Sequence, residues 1–575
     1  MILQALVRYY EDLLALGVIA RPGWGQAKVS YGLELASDGR LLGLLPLQTE
    51  QQRGKKSVFA PQVMEVPMPV KRSSGVAANF LCDNSGYLLG ADEKGKPQRT
   101  AECFAACKAL HLRLLDGAQS AAAQAVLAFF ETWEPAAAAF HPVLVEKWAD
   151  LMGGANLIFW HKDAPVHSDP EVRSRWQAYY DRKSAGPEVR CLVTGQQTRS
   201  EEVHPAIKGV PGAQTSGAAL VSFNAPSFWS YGHEYGANAP VGVYAAFAYT
   251  TALNHLLADR EHAQHTGDTT VVCWAVGGHS AYQDLGMAAL YGGTLTEQDL
   301  QAVLGKLTRG EPVDWNGEKV QPGTHFYVLG LAPNAARLSV RFFWQDSFGS
   351  FARNVRAHYE RLRIVRPSFD KAETLLPSRL LRETVNQNSR DGAPIPQLNG
   401  DLLRAVLTNG PYPATLLHGV TLRIRAEHAV TRGRAAILKA YYLQNKNEKC
   451  PEEVLTVELN EQSSYPPYVL GRLFSVLEAV QDGANPGLNA TIKDKYFNAA
   501  SATPAAIFPL LINLAQKHLR KLEPNWRKHY NKQIGELLSK ISETYPARMT
   551  LPEQGAFQLG YYHQTQKRFT KKEEK

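Results

Sequence analysis

The sequence predicts an α+β protein: a mixed α/β N-terminal region followed by a C-terminal helical bundle. Three observations predict it. Short apolar or β-branched runs, separated by tight-turn residues, recur through the first 345 residues, which is the signature of strands. Prolines at 411, 413, 466, 467, 504 and 524 then cut residues 400–548 into helix-length pieces of roughly 15–25 residues. A composition of 45% hydrophobic and 20% charged residues belongs to a chain that buries a core.

Taken in order, Ile2, Leu3, Leu6, Val7, Tyr10, Leu13 and Leu14 recur at helical spacing until Gly17 and Pro22-Gly23 stop the helix. Val29, Tyr31, Leu33 and Leu35 then alternate, Asp38-Gly39 supplies a turn, and residues 41–45 return as a hairpin. Residues 100–148 are rich in Ala and Leu and read as two or three helices. Strand-like runs follow at 157–160, 191–193, 219–223, 271–275, 326–331 and 338–344, with helices at 241–260 and 296–307. The last two runs flank Pro333-Asn334 and read as a hairpin. Three regions result: 1–150, α+β with hairpins and Ala-rich helices; 151–400, mixed α/β with a Gly-rich loop; and 401–575, a basic helical bundle. The charged tail from Lys567 reads as frayed.

The net charge of +8 is not spread evenly. Residues 401–575 hold 24 Lys+Arg against 16 Asp+Glu, so the whole excess lies there and residues 1–400 are neutral. No stretch approaches the ~18 consecutive apolar residues of a membrane span, and the N-terminus lacks the pattern of a secretory signal. The six cysteines are scattered without a C-x-x-C pair, which points to a reducing, cytoplasmic compartment.

Standard catalytic signatures are missing. There is no phosphate loop, zincin motif, nucleophile elbow or kinase set. Three weaker clusters remain. Cys103, Cys107 and His111 share one helix face; a soft metal would suit them, but core packing explains them better. His161, Asp163, His167 and Asp169 read as a polar loop, with a metal site as the alternative. Cys191 with His204 as base would form a nucleophile pair, against the plainer reading of a buried cysteine.

The densest run of unusual residues is 204–224, His204-Pro205-Ala206-Ile207-Lys208-Gly209 through Val221-Ser222-Phe223-Asn224. Glycines let a backbone come close to a ligand, a Lys neutralises phosphate, and Gln and Asn read base edges with paired donors and acceptors. The chemistry supports a loop that touches a polyanion, or equally a long turn. Phe228, Trp229 and Tyr231, interleaved with Gly and Asn, suit either base stacking or a packed irregular loop. Within 511–532, Lys517, Arg520, Lys521, Arg527, Lys528 and Lys532 face one acid, Glu523, with His518, Trp526, His529 and Tyr530 between them. That is an electrostatic footprint for a nucleic-acid backbone, or a solvated helix face.

On these strings, together with residues 79–90, 236–240, 245–254, 328–341 and 494–504, the whole chain resembles the large subunit of the type I-C CRISPR Cascade effector complex. The resemblance implies a non-catalytic role without cofactor or metal. Such a subunit recognises the protospacer-adjacent motif on target duplex, helps open it, holds the displaced strand and docks the helicase-nuclease. Its implied partners are crRNA, target double-stranded DNA, the displaced single strand, the backbone, crRNA-end-binding and small subunits, and the helicase-nuclease, with no membrane. Sequence reading is delegated to guide pairing, so only a small base-reading loop is needed. Within that frame the expected DNA-binding residues are Lys71, Arg72, Asn79, Asn84, Lys208, Gly209, Gly212, Gln214, Ser216, Asn224 and Asn238. The six cations at 517, 520, 521, 527, 528 and 532 would hold single-stranded DNA or face the guide–target duplex. A metal-dependent nuclease using the 161–169 loop and a general single-strand DNA-binding scaffold are the alternatives.

Overall fold

The computed structural model describes all residues except 54–55, 71–74, 94, 183–186, 294, 387–388, 390–391, 542–543 and 570–575. The chain forms two units, residues 3–205 with 222–251, and residues 206–221 with 252–575.

In the first unit the helix Ile2–Ala15 buries Leu6, Val7, Tyr10 and Leu13, the face its apolar spacing defines. The hairpin expected around Asp38-Gly39 is present as Tyr31–Leu35 paired with Leu41–Pro46. It belongs to a sheet in which Tyr31–Leu35 also pairs in parallel with Asn156–His161, Leu33 opposite Phe159. Cys82–Asn84 completes the far edge, and Ala164–Pro165 folds back on the central strand. A second sheet, Trp24–Val29, Lys56–Pro67 and Gln48–Arg53, is antiparallel throughout. The Ala-rich stretch forms Pro97–Leu115 and Ala121–Thr132, with a short helical run behind them. Their apolar faces close the core around Phe80, Phe129, Phe130, Phe159 and Trp176.

The second unit contains a four-stranded antiparallel sheet in the order Gln264–Thr266, Thr269–Ala275, His325–Asn334, Arg337–Ser347. Its last two strands are the expected hairpin, turning through Ala335 at positive φ. The helices expected from the proline punctuation follow, from Leu398–Thr408 through Pro466–Ala484, Pro504–Leu519 and Pro524–Leu538 to Leu551–Phe569. One contiguous apolar core runs from the sheet, through Phe326, Phe348 and Phe351, into these helices at Tyr468, Phe474, Phe497 and Phe557. Pro466–Ala484 and Leu551–Phe569 approach so closely that Gly471 lies on the Phe557 carbonyl and Gly560 on the Tyr468 carbonyl.

Two expected strands are not strands. Residues 191–193 form a turn after Glu188–Arg190, because the Cys191 sulfur accepts the amides of Val193 and Thr194 and Gly195 turns the chain at φ 73°. Residues 219–223 contribute only a bridge from Ala219 to Arg337, after which the chain runs irregularly. Among the described residues no helix is long and apolar enough to cross a membrane.

Candidate nucleic-acid interface

The Gly-rich run folds as a loop held at its neck. Ile207 and Ala218 exchange both backbone hydrogen bonds, 2.8 Å each, and both side chains are buried. The Asn254 side chain, on the helix Val243–Ala258, grips the same neck from both directions. Its Nδ2 donates to the Ala206 carbonyl at 3.0 Å, and its Oδ1 accepts the Lys208 amide at 2.8 Å. Ala219 is tied to the sheet hairpin through the Ala336 carbonyl and the Leu338 amide. Val210 is the single apolar side chain the loop tucks inward.

What the loop presents is polar. Lys208, Gln214, Thr215 and Ser216 are exposed, and none of their side chains is engaged in a hydrogen bond or ion pair among the described residues. A cation, an amide and two hydroxyls on a rigid neck form the set that pairs with phosphate and base edges. Gly209 and Gly212 also serve the packing of the loop itself. Both have positive φ, 92° and 79°, and a Cβ would meet Leu257 at 3.1 Å and Pro333 at 3.2 Å. Their lack of a side chain lets the loop lie against its own scaffold at these two points.

The other expected base-facing residues lie in the first unit and carry structural duties. The Asn79 Oδ1 accepts the Val70 amide at 2.9 Å, and the Asn84 Oδ1 caps a short helix through the Gly86 amide. Asn238 clamps an irregular loop: its Oδ1 accepts the Ser230 amide, and its Nδ2 donates to the carbonyls of His233 and Tyr235. Asn224 is exposed. Lys71 and Arg72 lie outside the described residues.

The basic C-terminal segment spans the end of Pro504–Leu519 and all of Pro524–Leu538. All six cations are exposed. Lys521 donates to the Asn485 Oδ1 and Lys532 lies 3.8 Å from Glu536, while Lys517, Arg520, Arg527 and Lys528 face no carboxylate within 4.0 Å among the described residues. Pro524–Leu538 fully buries Ile534 and Leu537 and packs Tyr530 and Leu538 on the core beside them, while residues 524–529 are all exposed. Trp526, 58% exposed, stacks on Tyr530 one turn later with ring centroids 5.9 Å apart. Cations interleaved with exposed aromatic faces track a single-stranded backbone and its bases.

The candidate chemical clusters come apart. His111 is wholly buried, donates through Nδ1 to the Cys107 carbonyl and accepts the Leu81 amide on Nε2, so both nitrogens are spent inside the core. Burial pushes its imidazole down to about 4. Asp169 caps the helix Pro170–Arg182 through the amides of Glu171 and Val172, Asp163 is exposed, and burial lowers His167 to about 4. His161 reaches Ser37, not the other three. His204 pairs with the Tyr249 hydroxyl at 2.7 Å rather than with Cys191. The Cys191 sulfur instead accepts amides from Val193, Thr194 and Gly242; burial acts to raise its thiol, and these bonds with Thr194 hold it below the ordinary value. Among the described residues, no group of three or more His, Cys, Asp or Glu is placed to hold a metal ion.

The neck residue Asn254 was invisible as a positioning group, because it sits 46 residues beyond the amide it holds. An anchored polar loop and a cation-rich, aromatic-bearing helix give this chain two surfaces suited to polyanions. A family model described as CRISPR-associated protein (Cas_Csd1) matches residues 6–569, and the chain belongs to that family. A comparison with curated proteins returned no match.

Proposed function

We propose that the chain is the large, non-catalytic subunit of a type I-C crRNA-guided surveillance complex. In this reading it recognises the protospacer-adjacent motif on target duplex through the 206–219 loop and promotes R-loop formation. It also holds the non-target strand on the basic helices and helps recruit the helicase-nuclease. Membership of a CRISPR-associated family over nearly the full chain supports the Cascade setting. The observation that carries the motif-reading part is the loop itself: four uncommitted polar side chains on a neck fixed by Asn254. Such pre-organisation lowers the ordering cost of reading a short motif.

Lys208→Ala and Gln214→Ala are expected to weaken binding of the assembled complex to motif-bearing duplex by about 1–3 kcal/mol each, the value of one good base or phosphate contact. Binding to a target whose strands are already separated should fall much less. Equal losses on the two substrates, read by filter binding or electrophoretic shift, would remove the motif-reading role. Asn254→Ala frees the neck without touching the exposed groups, and about a tenfold loss on motif-bearing duplex alone is expected from the lost pre-organisation.

A further inference from the structure

Nine described non-glycine residues have positive φ, and two of them are tyrosines in one loop, Tyr231 at 54° and Tyr235 at 42°. For a bulky side chain this conformation is a genuine outlier, and such strain concentrates where function holds it. The two tyrosines are used in opposite ways. Tyr235 packs against Trp229, with ring centroids 5.3 Å apart, and its carbonyl is held by Asn238. Tyr231 is 98% exposed. It occupies the first central position of a two-residue turn, followed by Gly232 at φ 75° and closed by a Ser230–His233 bridge. Two successive positive φ values define the tight turn that ordinarily carries Asn-Gly or Gly-Gly.

The turn stands on a rigid base. Asn238 makes its three backbone contacts directly beneath it, and the Trp229 indole donates to the Phe223 carbonyl at 2.9 Å. The chain therefore fixes a full aromatic ring in solvent, on strained backbone, with no partner for the ring among the described residues. Asn in its place would make the same turn at lower cost. Ser230, Gly232, His233 and Glu234 around it are exposed and not apolar, and the loop's other exposed rings, Phe228 and Tyr235, are each less than half exposed. No Lys or Arg occurs in residues 226–242, so the tip's own residues offer a ring and not a cation. A flat ring held in solvent on a fixed turn matches the face of an unpaired nucleobase, which stacks on aromatic side chains.

We propose that Tyr231 is a stacking residue that holds an unpaired base of opened target DNA. This rests on the reading of the chain as a target-DNA-binding subunit and adds a contact independent of the 206–219 loop. The test uses the assembled complex and target DNA carrying 2-aminopurine at successive positions beside the motif. With the native chain, one position is expected to be quenched by stacking. With Tyr231→Asn, that position should brighten several-fold and affinity for opened target should fall roughly tenfold. Tyr231→Phe should retain both. The Tyr231→Asn chain should melt no lower than the native one, because Asn tolerates the turn. The loss should also be the same at 50 and 200 mM salt, since no charge is removed. Unchanged fluorescence and affinity would overturn the proposal, as would a defect in subunit assembly with DNA binding intact. A Tyr231 effect on pre-opened DNA that survives when Lys208→Ala shows no motif dependence would sink the motif-reading loop and leave the stacking contact standing.

Discussion

Replacing Lys517, Arg520, Arg527 and Lys528 together with alanine is expected to reduce the slope of log affinity against log salt for single-stranded DNA by about 3, because each phosphate neutralised on a single strand contributes ~0.7. Between 50 and 200 mM salt the native complex should then lose roughly fiftyfold more affinity than the variant. These four are chosen because no carboxylate neutralises them within 4.0 Å among the described residues. Lys532 lies 3.8 Å from Glu536, and its replacement should move the slope less; Lys521 keeps its full charge but is left in place because it holds the Asn485 side chain. The fold should not suffer, since all four side chains are exposed and the helix Pro524–Leu538 is held by Ile534 and Leu537. Trp526→Ala offers an orthogonal readout. Loss of a stacking face should cost about 1–3 kcal/mol without changing the slope. A quadruple variant with the native slope would mean that this face is merely solvated, and strand-holding would have to be sought elsewhere.

How far the sequence could be read follows from the range of each interaction. The 31–45 hairpin was legible because alternation and an Asp-Gly turn are local, and the 325–347 hairpin because two apolar runs flank one turn. The C-terminal helices were legible because Pro466, Pro504 and Pro524 each open one at its first residue, although Pro509 lies inside a helix without ending it. The exposed cations at 517–532 needed only composition. By contrast, residues 191–193 looked like a strand until the Cys191 sulfur took the amides a strand would have offered to a neighbour. Residues 219–223 looked like one because a short apolar run does not reveal whether a partner edge exists. His204 suited a catalytic base by type, yet a tyrosine 45 residues away claims its nitrogen. In the candidate interface, residue types were readable and geometry was not. Lys208 and Gln214 announce polyanion chemistry, whereas Asn254 as clamp, and Gly209 and Gly212 as spacers against Leu257 and Pro333, depend on contacts far along the chain. Tyr231 was one aromatic among several until its exposure and its lack of a ring partner among the described residues separated it from Trp229 and Tyr235, which pack on each other.

Gly471→Ala and Gly560→Ala are each expected to destabilise the second unit by about 3 kcal/mol or more, the upper end of overpacking. The sign is the instructive part. In a helix interior, glycine to alanine normally gains about 1 kcal/mol of helix propensity. Here each glycine is the point where one 19-residue helix rests on the backbone of the other. A Cβ on Gly471 would overlap the Phe557 carbonyl oxygen and lie 2.9 Å from the Tyr561 amide nitrogen, and one on Gly560 would overlap the Tyr468 carbonyl oxygen. Backbone atoms cannot rotate aside as a side-chain end can, so the helices would have to separate. Separation would also stretch the Tyr561–Glu478 hydrogen bond, 2.7 Å, and expose a core shared with Phe474 and Phe557. Gly535→Ala is the matched control. It lies in the helix Pro524–Leu538 with nothing within 4 Å of its Cβ position, so the propensity gain should stand alone and stability should rise by about 0.5–1 kcal/mol. Thermal unfolding of the three variants separates the two effects. If Gly471→Ala melts at or above the native temperature, the close approach is not what fixes this helix pair. If only the first two melt early, the scaffold that carries the basic helix depends on two glycines 89 residues apart.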